Sequence, residues 1–308
     1  MSDDGSTRLP STGDAADRNH ATGSAAPRRV GVLGGGRMGS GIAHAFVLAG
    51  SEVVVVERDQ MTADAAASRI RASLARAVER GATRGPLAVL QSAVTTGTDA
   101  GLFAQCALVI EAVPEDRSLK VEALTRAEAV LPADAVLASN TSSISIDDLA
   151  RALARPSRFL GLHFFNPVPA SELVEVVAGA ATDPALVDTA RSWVGALGKT
   201  AVVVRDSPGF ASSRLGVALG LEAIRMLEEG VADAADIDAA MTLGYRHPVG
   251  PLRTTDLVGL DVRLGIAEEL HARLGVRFEP PALLRRMVAE GRLGRKSGEG
   301  FYVWENDR

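Results

Sequence analysis

The sequence has little cysteine, no basic excess and no long apolar run. Its single cysteine, Cys106, excludes an intramolecular disulfide and is typical of a reducing cytoplasm. The net charge of −5, with acids and bases interspersed, argues against a nucleic-acid surface, which needs a basic face. No stretch reaches the roughly 18 apolar residues of a membrane span. One cysteine and five scattered histidines give no metal-ligand spacing. We therefore expect a cytoplasmic protein that binds no metal, nucleic acid or membrane.

What the sequence contains begins at residue 28. The 308 residues, 46% of them hydrophobic, predict two domains with sizeable cores. Residues 1–27, which include His20, are mostly Ser, Thr, Asp, Gly and Ala. Because they can bury little apolar surface, we expect a disordered tail there. No apolar segment follows a basic start, so the tail is not a secretory signal.

Residues 28–207 alternate short β-branched runs with helical segments. A strand, a glycine turn, a helix and a second strand are followed by the runs "ALVIEAV", "AVLASN", "FLGLHFF", "ELVEVV" and "TAVVV". This alternation predicts a largely parallel, helix-covered sheet, and hence an α/β Rossmann-type dinucleotide-binding domain.

After "RDSPGF" at 205–210 the strand signals stop. We place the domain boundary near Pro208 and Gly209 and expect residues 208–308 to form an all-α C-terminal domain for substrate binding and dimerisation. Its long apolar helices have few partners within the chain, which favours a homodimer formed through them.

A glycine-rich turn joins the first predicted strand to the first helix. Gly34, Gly36 and Gly39 form the pattern G-x-G-x-x-G. In such a turn the first glycine permits the tight bend, the second lets the backbone approach a pyrophosphate, and the third allows the helix to pack closely on the strand. The helix N-terminus then offers N–H groups to the anion. A glycine turn without a ligand is the alternative, but the complete strand–turn–helix–strand context favours a dinucleotide.

The second predicted strand ends in an acid, Glu57. A carboxylate there can accept hydrogen bonds from both adenosine ribose hydroxyls and would repel a 2′-phosphate, which favours NAD over NADP. Arg58 follows directly and could accommodate that phosphate, so NADP stays open as an alternative.

The stretch "GLHFFNPVPASELVEVV" carries a histidine, His163, and an acid, Glu175, in apolar surroundings. A histidine on a strand is often a core residue that is satisfied by a backbone carbonyl. Here it ends a predicted strand, where α/β sheets place ligands, and "NPVP" breaks the chain after it. An acid among valines is costly unless it is paired, and a histidine is its natural partner. The carboxylate would fix the tautomer of the ring.

A histidine–carboxylate pair beside a nicotinamide site indicates alcohol oxidation. The ring takes the hydroxyl proton while hydride leaves the same carbon, and in the reverse direction it returns the proton to a carbonyl oxygen.

Taken together, the motifs resemble the 3-hydroxyacyl-CoA dehydrogenase family, in its short-chain, 3-hydroxybutyryl-CoA dehydrogenase-like form. The resemblance runs from Val30 to Trp304 and rests on "GGGRMGSGIA", "LVIEAVPED", "LASNTSSISI", "GLHFFNPVP" with "LVEVV", "DSPGF", "HPVGP" with "DLVGLD", and "GRKSGEGFY". It implies NAD-dependent interconversion of (3S)-3-hydroxyacyl-CoA and 3-oxoacyl-CoA in fatty acid metabolism.

The resemblance also implies site residues. The implied catalytic residues are His163 as the base, Glu175 as its partner and Ser142 as a contact to the substrate oxygen. The implied cofactor contacts are Gly34, Gly36, Arg37, Met38, Gly39, Glu57, Glu115, Lys120 and Asn140, the last beside the nicotinamide ribose. For Lys120, an ordinary surface position on a helix is the alternative.

The substrate contacts depart from the family pattern. Ser73 matches a CoA contact, but Arg80 stands where the family has lysine, and it could equally be one of several solvated arginines. Ser213 replaces the asparagine after "PGF" and has no amide donor. Arg253 adds a cation that would suit an anionic acyl group or lie at a solvated rim.

These departures leave other functions open. The same chemistry could act on a polar acyl group carried by an acyl carrier protein, such as glyceryl-ACP in antibiotic extender-unit biosynthesis, or on a free sugar acid such as L-gulonate. A crystallin-like, non-enzymatic use of the fold is the remaining alternative, and the intact His163, Glu175 and Ser142 argue against it.

Overall fold

The computed structural model describes residues 25–83 and 85–304, and within them an eight-stranded sheet forms the N-terminal part of the fold. Its strands are β1 (Arg29–Leu33), β2 (Glu52–Val56), β3 (Val94–Gly97), β4 (Leu108–Glu111), β5 (Val136–Ser139), β6 (Phe159–Phe164), β7 (Leu173–Ala178) and β8 (Thr200–Arg205). Apart from residues 25–27, the predicted disordered tail, with His20, lies outside the described residues.

The strands follow the order β3-β2-β1-β4-β5-β6-β7-β8. The first six pair in parallel, and the predicted Rossmann-type sheet is thereby confirmed. The order reverses between β1 and β4, which is where open α/β sheets bind ligands at the carboxyl ends of their strands. Helices cover the sheet: α1 (Arg37–Leu48), α2 (Gln60–Glu79), α3 (Leu87–Ser92), α4 (Arg117–Glu128) and α6 (Pro184–Ala196).

The sheet forms because its strands are rich in β-branched residues and are buried. Val30, Val32 and Val55 are each fully inaccessible to solvent. A continuous apolar run, rather than an alternating one, is typical of a parallel strand that is covered on both faces. β3 was missed by the sequence analysis because "VTTG" is short and half polar.

β7 runs antiparallel to β6. The connection from Phe164 to Leu173 is too short for the helical crossover that a parallel pair needs. The resulting register sets His163 directly opposite Glu175.

The second part of the fold is helical, as predicted. It contains α5 (Ile146–Ala150), α7 (Ser212–Glu228), α8 (Ala234–Gly244), α9 (Pro251–Val258), α10 (Leu260–Leu274) and α11 (Ala282–Ala289). The stretch "TTDLVGLDVRLGIAEELHARLG" is helical but not continuous, because Gly259, with a φ of 106°, separates α9 from α10. Val217, Leu252 and Leu270 lie in the core of these helices.

Contacts along the chain define two compact units. The first ends at Asn140 and resumes over Ala152–Val203, and the second comprises Thr141–Arg151 and the chain from Val204 onward. Within the second unit, the Asp206 carboxylate accepts hydrogen bonds from Ser145 Oγ (2.6 Å) and Asp147 N (2.9 Å), which ties α5 to the later segment. This grouping differs from the predicted boundary at 207/208, which assigned residues 141–151 to the first domain.

Candidate active site

The glycine-rich turn lies at the carboxyl end of β1, at the centre of the sheet. Gly34 has a φ of 94°, which glycine adopts readily. A Cβ on Gly39 would lie 1.8 Å from the Gly34 carbonyl oxygen, so no side chain fits there. A Cβ on Gly36, by contrast, would meet nothing within 4 Å. Packing within the protein thus explains Gly34 and Gly39, whereas Gly36 leaves open space through which a pyrophosphate can approach the backbone.

The N-terminus of α1 adjoins this turn. Its capping residue, Gly36, supplies no side-chain hydrogen bond, so the first N–H groups of the helix remain for an anion. Arg37 is exposed and Met38 is half-buried in the first turn. Ser40 Oγ (2.7 Å) and Arg69 Nη2 (2.8 Å) both donate to the Gly35 carbonyl and hold the turn in place.

Glu57, just beyond β2, lies beside the same turn. Its Oε1 accepts a hydrogen bond from Gly35 N at 2.7 Å, so the carboxylate is fixed where the ribose acid of a dinucleotide site belongs. The Arg58 side chain is 78% exposed and pairs with Asp59 at 3.1 Å. The turn, the open helix end and this acid fit NAD.

A buried carboxylate, Glu111, ends β4 and was missed by the sequence analysis. It is fully buried; Ser139 Oγ donates to its Oε2 at 2.5 Å, and Val113 N donates to its Oε1 at 2.7 Å. Lys120 Nζ also reaches Oε1, at 2.8 Å. Burial raises the pKa of the Glu111 carboxyl, and Lys120 opposes that shift. The signal was present, since an acid in the apolar run "ALVIEAV" needs a partner just as Glu175 does.

Lys120 is therefore not a surface residue, and that alternative is wrong. It is 1% exposed and also contacts the Val113 carbonyl (3.2 Å) and Glu115 Oε2 (3.2 Å). The network of Glu111, Ser139 and Lys120 fixes the loop after β4. This loop borders the glycine turn, because a Cβ on Gly34 would lie 2.9 Å from the Ala112 carbonyl oxygen.

Asn140 follows β5 at the same edge of the sheet. Its N–H donates to the Glu111 carbonyl at 2.8 Å, and its Oδ1 accepts from Phe164 N at 2.8 Å. The side chain thus joins the end of β5 to the residue after His163. With Oδ1 engaged, the amide nitrogen of Asn140 remains the donor for a ligand.

The structure brings His163 and Glu175 together. His163 Nδ1 lies 2.8 Å from Glu175 Oε2, and the two residues are only 6% and 1% exposed. The Phe165 ring packs against the imidazole with a centroid distance of 4.4 Å. Because a carboxylate only accepts, Nδ1 carries the proton, and Nε2 is the basic nitrogen of the neutral ring.

A lysine missed by the sequence analysis, Lys199, holds the loop that follows His163. Its Nζ donates to the carbonyls of Val168 (2.7 Å) and Ser171 (2.5 Å). Burial lowers the pKa of this ammonium group. On the other side, a Cβ on Gly41 of α1 would lie 2.8 Å from Val168, so the loop packs tightly on the helix.

The predicted CoA contacts lie on α2. Ser73 Oγ lies 3.0 Å from Nδ1 of His44, a buried ring whose pKa is lowered chiefly by burial and further by Arg76 and Lys199. Arg80 is exposed at the end of the same helix. Seven residues separate Ser73 from Arg80, which puts them on one side of α2.

The remaining predicted residues belong to the second unit. Ser142 is half-buried in the turn before α5, and Ser213 is half-buried in the first turn of α7. Arg253 stacks on Trp304, with its guanidinium carbon 4.7 Å from the ring centroid, and on Tyr302 at 5.3 Å. Arg253 therefore packs against the C-terminal segment.

Comparison with known proteins assigns both halves of the chain. The model of the 3-hydroxyacyl-CoA dehydrogenase NAD binding domain matches residues 29–207, and that of the C-terminal domain matches residues 209–304. The 3-hydroxybutyryl-CoA dehydrogenase of Mycobacterium tuberculosis is 45% identical over 285 residues, 91% of this chain and 100% of that protein. A probable 3-hydroxybutyryl-CoA dehydrogenase of Deinococcus radiodurans is 43% identical over 278 residues, 90% of this chain and all of that protein.

Solved structures agree. The crystal structure of M. tuberculosis FadB2 superposes with a TM-score of 0.87 at 45% identity, covering 91% of this chain and 100% of that one. The (S)-3-hydroxybutyryl-CoA dehydrogenase PaaH1 of Ralstonia eutropha gives a TM-score of 0.87 at 37% identity, with the same coverage.

Residues 25–83 and 85–304 make up the described part of the chain. In that part of the chain, no three His, Cys, Asp or Glu side chains are grouped so that they could hold a metal ion. None of its helices is long and apolar enough to cross a membrane.

Proposed function

Because the chain belongs to the 3-hydroxyacyl-CoA dehydrogenase family, whose members are NAD-dependent oxidoreductases of 3-hydroxyacyl-CoA, we propose that it interconverts (3S)-3-hydroxybutyryl-CoA and acetoacetyl-CoA with His163 as the acid–base residue. The observation that carries this proposal is the contact of 2.8 Å between His163 Nδ1 and Glu175 Oε2, which lie opposite each other on β6 and β7. The names of the relatives support the short acyl chain.

In the proposed reaction His163 Nε2 takes the proton of the C3 hydroxyl. The developing positive charge on the ring is stabilised by the Glu175 carboxylate, which also holds the imidazole in one orientation. NAD, which the turn of Gly34, Gly36 and Gly39 with Glu57 would hold, would supply the hydride acceptor for C3. Burial of the pair excludes water and strengthens the interaction between ring and carboxylate.

Other residues would position the reactants. Gly34, Gly36 and Gly39 with Glu57 would hold the cofactor, and the Asn140 amide nitrogen would donate to it or to the substrate. In the second unit, Ser142 and Ser213 are proposed to contact the substrate. Lys199, through its bonds to the loop after His163, would act as a positioning residue.

We propose coenzyme A as the acyl carrier, with Ser73 and Arg80 on α2 as contacts. The Ser73 hydroxyl is held by His44, which fixes its direction, and exposed Arg80 is free to move towards a phosphate. Presentation of the acyl group by an acyl carrier protein stays an alternative, and turnover of both carriers at equal acyl chain would compare them.

Two further properties complete the proposal. A homodimer formed through the second unit is supported by the exposed side chains of Leu215 (70%), Leu243 (83%) and Tyr245 (76%), whose apolar surface a second copy would cover. A cytoplasmic location is supported by Cys106, a free and buried thiol.

The test replaces His163 with glutamine. Loss of the base lowers kcat for acetoacetyl-CoA reduction by about 10²- to 10⁴-fold, while NADH affinity, measured by fluorescence titration, stays within about twofold. The matched control, His271→Gln, changes a histidine on α10 whose ring bonds only to the Gly275 carbonyl in the described chain, and it should leave turnover unchanged. Undiminished turnover of His163→Gln would exclude the assigned role.

A further inference from the structure

Arg263 occupies a position where helical periodicity calls for an aliphatic residue. It lies on α10, and the residues three, four and seven positions later, Ile266, Ala267 and Leu270, form the buried face of that helix. Arg263 shares this face and is 8% exposed. A cation therefore lies within the apolar stripe that packs against α7.

The charge of Arg263 has no partner among the described residues. Its Nε is buried without a hydrogen bond. Two other arginines have a similar Nε but donate through an Nη: Arg29 to Gln105 and Arg158 to Asp134. No hydrogen bond or ion pair within residues 25–83 and 85–304 reaches the guanidinium of Arg263. Burial alone lowers its pKa, to about 10. A buried cation without a partner is costly, and an anion from outside would remove that cost.

The guanidinium of Arg263 packs against α7 at Gly216, which has no side chain. A Cβ on Gly216 would be 3.0 Å from Nη1 and 3.6 Å from Nη2, so the glycine makes room for it. Ser213 precedes Gly216 by three positions and shares its face of the helix. About 4.5 Å along the axis of α7 thus separates Ser213, the candidate substrate residue, from Gly216, the glycine that the unpaired cation contacts.

From this placement we propose that Arg263 binds a carboxylate at the far end of the acyl group. The substrates then extend from 3-hydroxybutyryl-CoA to short 3-hydroxydicarboxylic acids held as their mono-CoA thioesters. A guanidinium presents paired N–H donors that match the two oxygens of a carboxylate. Val217 and Ile266, which are buried in the same helical core, give the guanidinium an apolar environment that strengthens its attraction for an anion. The inference rests on the proposed function, because it assigns the acyl end of the same substrate.

Arg253, the cation that the sequence offered for this task, is used elsewhere. Its guanidinium stacks on Trp304 and Tyr302 and thereby holds the C-terminal segment. Arg253→Met is therefore the matched control for Arg263→Met, since both variants remove one arginine of the second unit in favour of a side chain of similar length.

The first experiment compares NADH-dependent reduction of 3-oxoadipyl-CoA and 3-oxohexanoyl-CoA, which have equal chain length and differ in the terminal carboxylate. Arg263→Met lowers the ratio of the two kcat/KM values by about 10- to 100-fold, the range that one hydrogen-bonded charge contributes. Arg263→Lys keeps the charge but loses the fork, and gives an intermediate ratio. Arg253→Met keeps the wild-type ratio. An unchanged ratio in Arg263→Met would overturn the proposal.

The second experiment measures binding without turnover. Free adipate raises the Tm of the wild-type protein and of Arg253→Met, but not of Arg263→Met, because only a folded chain with the cation binds it. If no thioester is turned over but this shift is present, the proposed function fails and the anion site stands. If Arg263→Met instead changes the oligomeric state and adipate has no effect on the wild type, the anion is a carboxylate of a second copy, and the substrate assignment is overturned.

Discussion

The two units differ in how their buried charges are compensated. In the first, Glu111 is bonded to Lys120, Ser139 and Val113, and Glu175 to His163, all within 2.8 Å. In the second, the Asp256 carboxylate is held by N–H donors, but Arg263, which is 8% exposed, has no counter-ion in the described chain. Buried charges that are paired need no ligand, and their hydrogen bonds fix the orientation of the neighbouring side chains and loops. A buried charge without a partner is compensated only when a counter-ion binds, and for this reason we assign Arg263 as a ligand contact.

The largest expected effect comes from turning a paired charge into an unpaired one. Glu111→Leu leaves the Lys120 ammonium buried without its main partner and lowers the free energy of unfolding by about 3–5 kcal/mol. Urea denaturation at neutral pH measures this loss. A loss below about 1 kcal/mol would show that Lys120 finds another partner easily.

The double variant Glu111→Leu with Lys120→Met serves as the control. With both charges gone, most of the unfolding free energy returns, because apolar residues can replace a buried ion pair at little cost. NAD affinity does not return, since Val113 N still lacks the carboxylate that fixes the loop beside the glycine turn. Full recovery of NAD affinity would show that the network of Glu111, Ser139 and Lys120 only stabilises the fold and does not support cofactor binding.

A smaller effect on stability is expected from the thiol of Cys106, a buried group that stays uncharged at neutral pH. Burial raises the pKa of the Cys106 thiol to about 11 from 9.0, so the folded state holds its proton more tightly than the unfolded state. The protonated thiol therefore makes its full contribution to the free energy of unfolding below pH 9, and that contribution is lost as the pH rises towards 11. At about 1.36 kcal/mol per pKa unit, the loss is about 2–3 kcal/mol.

Cys106→Ala isolates this contribution. The variant loses less stability than the wild type between pH 8 and about pH 10.5, as measured by urea denaturation at each pH. An identical decline in both proteins would assign the alkaline loss to other groups. In the native wild type the thiol should also resist alkylation at pH 8.

The smallest effect tests the unpaired cation directly. Arg263→Met removes a buried charge that no described residue compensates, and it raises the free energy of unfolding by about 1–2 kcal/mol in the absence of ligand. The measurement is the denaturation midpoint without added diacid. A decrease instead would mean that the guanidinium stabilises the helices of the second unit, and the contrast between the two units would disappear.

Much of the first unit could be predicted because its signals are local. The spacing of Gly34, Gly36 and Gly39 and the acid at Glu57 all fall within one strand–helix–strand segment. The pairing of His163 with Glu175 followed from the cost of an unpaired acid in a strand. The break at Gly259 was missed because the apolar pattern of α9 continues into α10, and only the positive φ ends the helix.

The rest of the site depends on contacts between distant parts of the chain. Ser139 lies 28 positions from Glu111, and Lys199 lies 31 positions from Val168, so no local pattern links them. Arg263 stayed hidden for a different reason. An arginine on an amphipathic helix ordinarily lies on the solvated face, and only its packing over Gly216 shows that this one does not.

The bonds from Asp206 to Ser145 and Asp147 have a consequence for dissecting the protein. They anchor a short piece of the N-terminal half to the helical unit, so the polypeptide passes from one unit to the other at three junctions. A gene truncated at the apparent boundary would leave that piece on the wrong fragment. To express the second unit alone, residues 141–151 should be joined to the chain from Val204 onward, because a single truncation would remove them.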